Sequence, residues 1–241
     1  MKLSLGLLML LGAASVARAG EALPPVADVI AHARAVMDKK PDGVVCKVVV
    51  DTQLLDRSGK PEHNEHREAK AVLHGNDQDL ESQSVVRDGQ PLSADTIAEE
   101  QDKIKKQKAE KKKKPTKGAD GFDVSPSPLE AANAPNESFE LVRKETLWGR
   151  PAYVVKVRAQ KASPQQSNGT LWIDAERFIE LKGELSPSAM PPHADWIRVQ
   201  EQFAPGPAGV AVPTYLHIEG AGHMLFLHKQ FRTTLRWSDC R

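Results

Sequence analysis

The sequence predicts an α+β fold, with one antiparallel sheet of eight to ten strands, an N-terminal helix and a helical insertion. Three observations carry this expectation. Residues 168–185 (NGTLWIDAERFIELKGEL) read as a β-hairpin: a β-prone run Leu171-Trp172-Ile173, a polar break at 174–177, and a return strand at 178–183. Comparable runs at 152–158, 196–203, 213–219 and 224–237 make the second half a series of strands joined by turns. Near the other end, Val26, Val29, Ile30, Ala33, Val36 and Met37 recur at helical spacing and define one apolar stripe over 26–39.

The first nineteen residues stand apart from the fold. Lys2 is followed by the short apolar run 3–11, and Ala17-Arg18-Ala19 has the small-x-small form of a cleavage site. This is the pattern of a secretory signal peptide cut between Ala19 and Gly20, with an apolar run too short to span a bilayer. No cysteine follows the cut, so no lipid anchor is expected on a mature chain beginning near Gly20 and soluble outside the cytoplasm. Removing Lys2 and Arg18 leaves 31 basic against 32 acidic residues. That balance gives no global electrostatic argument for nucleic acid as a partner. The remainder, 20–241, is long enough for a single domain with a sizeable core.

Two cysteines remain, Cys46 at the start of the first strand and Cys240 at the end of the last. In an exported chain a pair invites a disulfide; two free thiols are the other reading. A bridge would close nearly the whole domain, with a chain-entropy contribution of roughly 4–5 kcal/mol.

In chain order, 26–39 is a helix broken by Asp42-Gly43, and 46–55 is the first strand. A turn at 56–61 precedes a polar strand at 65–74. The third strand, 80–87, ends at the turn dipeptide Asp88-Gly89. Residues 93–114 form an exposed helix with Ser93 as N-cap, acidic residues in its first turns and lysines towards its end. From 115 to 136 the composition shifts to Pro, Ala, Gly and Ser. This reads as a loosely draped linker with a short helix near 129–133. Strands follow at 139–146 and 152–159, then the hairpin, a proline-rich loop at 186–194, and strands at 196–203 and 212–219. Gly220-Ala221-Gly222 reads as a turn, and 224–237 as one long final strand.

The half from Trp148 resembles the periplasmic lipoprotein-carrier superfamily of LolA, LolB and RseB-like proteins. The resemblance rests on Gly149-Arg150-Pro151-Ala152-Tyr153-Val154-Val155, on Leu171-Trp172-Ile173-Asp174, and on the strand pairs ending in 231–237. The segment DGQPLSADTIAEEQDKIKK makes the first half similar to outer-membrane lipoprotein-sorting-like members. The resemblance implies a curved sheet, a half-open β-barrel, with helices over its mouth and an apolar concave face that holds lipid or lipoprotein acyl chains. It implies no catalytic residue and no cofactor. The lysine-rich insertion and the linker after it depart from the carrier pattern.

On that reading the concave face is lined by Val48, Val50, Leu54, Val85, Leu141, Tyr153, Val155, Val157, Trp172, Phe178, Leu216, Ile218, Leu225 and Leu227. Each methylene removed from water contributes about 0.8 kcal/mol, so such a face needs no special residue type. The same pattern also fits a closed core. The nine lysines between Lys103 and Lys117 suit anionic headgroups or an envelope membrane protein, or form a solvated helix end. An RseB-like sensor or interaction module is the alternative to a carrier. Among the eight histidines, His217 and His223 flank the Gly220-Ala221-Gly222 segment, but in a strand ladder such proximity is commonly incidental, and no metal site is assigned. There is no G-x-S-x-G elbow and no phosphate-binding glycine loop.

Overall fold

A computed structural model describes residues 22–75, 77–113, 127–130, 136–224 and 227–241, without the side chains of 111–113, Met224 and Leu227. The expected signal peptide and most of the expected linker lie outside these residues. Helix α1 (Val26–Met37) is followed by strands β1 (Asp42–Leu55), β2 (Pro61–His74), β3 (Asp77–Arg87) and the short β4 (Gln90–Pro91). Helix α2 (Ala94–Lys113) comes next. Strands β5 (Glu137–Leu147), β6 (Arg150–Ala159), β7 (Ser167–Asp174), β8 (Glu180–Pro187), β9 (Ala194–Pro205), β10 (Ala211–Met224) and β11 (Leu227–Ser238) complete the chain.

All eleven strands form one curved antiparallel sheet in the order β4-β3-β2-β1-β11-β10-β9-β8-β7-β6-β5. The order is that of two meanders joined where the last strand returns to the first. The sheet does not close, so β4 and β5 are its edges. Cys46 and Cys240 are bonded across the β1–β11 join. Beside them Val45 and Arg241 exchange both backbone hydrogen bonds, at 2.9 and 3.0 Å.

Both helices lie on the same face of this sheet, as the cross-strand register shows. Glu65, Thr52, Thr233 and Ile218 form one row across β2, β1, β11 and β10. Glu65 meets the α2 side through Arg87, which also binds Glu100, and Ile218 packs against the cluster built on α1. The α1 stripe Val29, Ile30, Ala33 and Met37 is buried against Val155, Val157, Leu171, Ile173 and Val199. Burying each large aliphatic contributes about 1.5–3 kcal/mol. This explains why a twelve-residue helix with no side-chain N-cap holds here. A second cluster, Val44, Cys46, Val48, Ala69, Ala71, Leu73, Leu235 and Trp237, lies at the β1–β2–β11 end.

Three expectations are corrected. The glycines at 220 and 222 do not turn the chain; β10 runs through them to Met224, and the final strand is a hairpin arm starting at Leu227. Glycine is needed there for close approach. A Cβ at 220 would lie 2.7 Å from the Phe231 ring, and one at 222 would lie 2.4 Å from the His193 carbonyl oxygen. Phe178 is a turn residue with φ +56°, not the first residue of a strand, and its ring stacks on His32 of α1 at 4.8 Å. Within the expected linker, Pro128 and Leu129 are fully buried. Leu129 joins the α1 cluster and Glu130 pairs with Lys40 at 3.3 Å.

Gly169 gives the fold a testable point. It pairs with Leu185, and a Cβ there would sit 2.0 Å from the Glu184 carbonyl oxygen. Backbone must shift to admit any side chain. Gly169→Ala is expected to cost about 1–3 kcal/mol of stability, read as a lower urea midpoint at unchanged m-value.

Candidate functional site: the concave trough

The two helices lie over opposite flanks of the concave face. Among the described residues the cluster built on α1 reaches from β5 to β10, and α2 lies beside β3, with β1 and β11 between them. The exposed strip can be read row by row from the register. Val50, Leu235 and Leu216 form one row; Thr52, Thr233 and Ile218 the next; Leu54, Phe231 and Gly220 the third. Leu235 is buried, and the side chains of Val50, Leu54, Leu216, Ile218 and Phe231 are half-buried. The result is an apolar strip with a pair of threonine hydroxyls, 3.5 Å apart, across its centre.

Each wall of the trough is polar. On the α2 side, Arg87 forks between Glu65 (2.6 and 2.9 Å) and Glu100 (3.0 Å to each oxygen), while Arg67 binds Glu65 at 2.8 Å. The Gln101 amide adds a bond to the Ser82 carbonyl, and Lys108 reaches Asp77. The second half of α2 is thus tied to β3 as well, and one lysine of the run is paired rather than free. Burial raises the Glu65 carboxyl, but the two guanidinium groups outweigh it and hold the acid below its ordinary range.

On the α1 side, Glu180 and Glu201 converge from β8 and β9. A Cβ at Gly183 would meet Glu180 Oε1 at 2.6 Å and Glu201 Oε1 at 3.0 Å. Glycine therefore makes room for two carboxyl groups on the inner face. Glu180 is fully buried, and its Oε2 accepts a hydrogen bond from the Ser127 hydroxyl at 3.1 Å. Burial raises both acids above the usual carboxylate range, and the neighbouring carboxyl raises Glu180 further. With one of the two protonated, a carboxyl O–H donates to its neighbour. Glu137 on the β5 edge strand is also buried, and burial pushes it up to about 7 against the opposing charge of Arg34. It lines a shallow cleft of about 320 Å³ with Arg34, Phe139 and residues of α1. A second open cleft, of about 430 Å³, lies at the end of β6 and β7. Neither cleft is in the trough.

The fourteen residues assigned to the concave face from sequence divide into five groups. Val50, Leu54, Leu216 and Ile218 border the open strip. Val48, Val85, Val155 and Val157 lie on the same face but are fully buried, while Leu141, Tyr153 and Phe178 pack against the α1 cluster. Trp172 is on the opposite face and is a correction. It alternates with the inward Leu171 and Ile173, donates its indole N–H to Glu145 at 2.7 Å and lies under Lys182, 4.5 Å from the ring centre. Leu225 lies outside the described residues, and Leu227 is described only through its backbone pairing with Met224. Phe231 and the Glu180–Glu201 pair were missed. Strict alternation from Leu185 through Gly183 would turn Leu181 inward; a register shift opposite Trp172 and Ile173 brings Glu180 beside the inward Ile173 instead, so no local period marks it.

The class of structure is therefore an open antiparallel half-barrel with two helices over its concave face. No family model matches the sequence, and no curated protein matches it. Among solved structures, the chain is similar to a DUF1329 family protein from Desulfovibrio piger at 11% identity, covering 91% of this chain and 93% of that one with a TM-score of 0.44. It is similar to a LolA superfamily protein from Nitrosomonas europaea at 13% identity, with coverages of 91% and 94% and a TM-score of 0.38. It is also similar to a putative outer membrane lipoprotein-sorting protein domain from Vibrio parahaemolyticus at 12% identity, with coverages of 88% and 90% and a TM-score of 0.42.

Proposed function

We propose that this protein is a non-catalytic periplasmic binding protein that shelters acyl chains, of a lipid or a lipoprotein, in the concave trough. The observation that carries the reading is the half-buried apolar strip over β1, β11 and β10, which lies between the two helices. The resemblance of the sequence to lipoprotein carriers and its signal-peptide pattern support the same reading. An acyl chain lying along the strip would contact Leu54, Phe231, Ile218 and Leu216, and each buried methylene would contribute about 0.8 kcal/mol. Polar walls on both sides would keep a headgroup or peptide outside the strip. The Arg67–Glu65–Arg87–Glu100 network would hold α2 in place while loaded.

A fluorescent fatty-acid probe tests this on delipidated protein. Saturable binding is expected, with Ile218→Asp weakening it at least about tenfold, since a charge would then sit on the surface that must lose water. Absence of probe uptake, or uptake indifferent to Ile218→Asp, would remove the proposal.

A further inference from the structure

Two buried polar groups at the outer edge of the sheet play no part in the trough. Glu137 is only 5% exposed, yet among the described residues neither of its carboxyl oxygens has a hydrogen-bond partner. The Nε and Nη2 atoms of Arg34 are buried and unpartnered in the same way. The Ser167 N–H and the Arg34 charge act on the Glu137 carboxyl from nearby, without a well-aligned hydrogen bond. Native structures rarely leave such groups unpaired, so the arrangement calls for a partner. Both side chains line the cleft of about 320 Å³ between α1 and β5, with Ala27, Ile30 and Ala31 on the helix wall and Phe139 on the strand wall. Ala27 and Ala31 are exposed, and their small side chains leave the cleft room on that side. Arg34 lies over the Phe139 ring, 5.3 Å from its centre.

The strand below this cleft is an open edge. β5 is eleven residues long and ends the sheet, whereas the opposite edge strand, β4, has only two residues. A short edge offers little to pair with; a long one is a template for another chain. The second half of β5 is blunted by the bulge between Leu141 and Arg143 and by the charged run 143–145, but the first half has no bulge. The Gln160 N–H donates to the Asn136 carbonyl at 2.8 Å, and the neighbouring Ala159 N–H turns the other way, to the Asn168 side chain at 2.9 Å. Antiparallel alternation therefore turns the N–H and C=O of Glu137, Phe139 and Leu141 away from β6, to the free edge. The Glu137 carbonyl there accepts only the Gln160 side-chain amide, at 3.4 Å. Among the described residues no strand pairs with Phe139 or Leu141 on that side. Glu137 and Phe139 thus offer backbone groups along the edge and side chains to the cleft.

We propose that the α1–β5 cleft and the free edge of β5 together bind an extended peptide segment of a partner protein, added to the sheet as a further strand. Edge addition supplies main-chain hydrogen bonds, and alternate side chains of the added strand fall on the cleft side. A peptide residue opposite Glu137 has its Cβ about 4.5–5.5 Å from that of Glu137. A carboxamide at that position accepts from Arg34 and donates to Glu137, which satisfies both groups at once. The residue two positions away lies opposite Phe139 and is apolar. A carboxylate in place of the carboxamide would face Glu137 as a like charge, and a hydrocarbon chain would leave both polar groups unpaired. The chemistry of this site is therefore that of a peptide with Gln or Asn beside an apolar residue on one face, not that of an acyl chain. It is separate from the trough, which lies over β1, β11 and β10.

The test uses the intact protein and a fluorescein-labelled, C-terminally amidated heptapeptide with valine at its second and sixth positions, glutamine at its fourth and threonine elsewhere. Saturable binding is expected, with a Kd no weaker than about 1 mM. At saturation the Phe139 and Leu141 amides are expected to exchange with deuterium at least about tenfold more slowly, read by NMR. Ala31→Trp fills the cleft from an exposed helix position, and Arg34→Ala removes the donor to the carboxamide; each is expected to weaken binding at least about tenfold. Glutamate in place of the peptide's glutamine is expected to do the same. Ala35→Trp, at an exposed α1 position outside the cleft, and Ile218→Asp in the trough are expected to leave peptide binding unchanged. Far-UV circular dichroism checks that each variant is folded. Absence of binding at that concentration, binding that leaves the Phe139 and Leu141 amides unprotected, or binding that survives Ala31→Trp would overturn the proposal. So would amides at 139 and 141 already protected in the free protein, which would show the edge covered by the chain itself.

Discussion

Replacing Cys46 and Cys240 together by alanine is expected to remove roughly 4–5 kcal/mol of stability, a large share of the about 5–15 kcal/mol typical of a folded domain. The two residues are 194 apart in sequence and adjacent in space. In the chain-entropy account, the bond restricts the unfolded chain over almost its whole length. Its position in the topology matters as much. The bond sits where β11 returns to β1, the strand pair that joins the two meanders. Residues 46 and 240 also belong to, or pack against, the second core cluster, so alanine at 46 adds a small loss of packing. The measurement is urea unfolding of the oxidised protein and of the double variant. A midpoint difference worth less than about 1 kcal/mol would show that the unfolded chain is already compact enough for the cross-link to matter little.

Stability is expected to rise as the pH falls from 8 to about 5, the reverse of what a surface dominated by ion pairs would give. Glu180, Glu201 and Glu137 all have folded-state pKa values raised by burial, Glu137 to about 7. An acid whose folded pKa lies above its unfolded value stabilises the fold while protonated. That contribution is present at low pH and is lost as the pH rises through the folded pKa. The window for Glu137 therefore runs from about 4.5 to about 7, and its ceiling is about 3 kcal/mol at 1.36 kcal/mol per pH unit. Asp51 and Glu65 work in the opposite sense. Their cationic neighbours lower them despite burial, so their contribution disappears as the pH falls below about 4. The optimum thus lies near pH 5. Glu180→Gln keeps the shape and removes one charge from the buried pair. It is expected to stabilise the protein by about 1–3 kcal/mol at pH 8, have little effect at pH 5, and flatten the profile between. A parent whose urea midpoint drops from pH 8 to pH 5 would show that the pair is hydrated rather than buried.

Much of the architecture was legible because it rests on local signals. The β-hairpin between Leu171 and Leu185 shows both its period-2 alternation and its polar break, and the α1 stripe shows its 3.6-residue repeat. These patterns persist because the sheet has one solvated face and the helix one buried side. The candidate site was less legible. Val155, Trp172 and Ile218 are all apolar strand residues, and nothing local separates the one under a helix, the one facing outward beneath a lysine, and the one in the open strip. Gly220 and Gly222 read as a turn because a turn and a close approach of neighbouring chains call for the same residue. Leu129 lay in a segment whose composition is that of a linker; only its distant partners on β6 and β7 make it core.

By itself, then, the sequence determined which segments pair as strands and which face of each is apolar. Those properties are set within a few residues by backbone sterics and hydrophobic patterning. The tertiary structure alone decided the rest: the β11–β1 return that makes one sheet of two meanders, the seats of α1 and α2 on opposite flanks of the concave face, and the meeting of Glu180 with Glu201 and of Arg34 and Glu137 in one cleft. Each of these depends on register between residues distant in sequence. A single bulge or a missing Cβ is enough to turn a side chain towards a partner that no local pattern specifies.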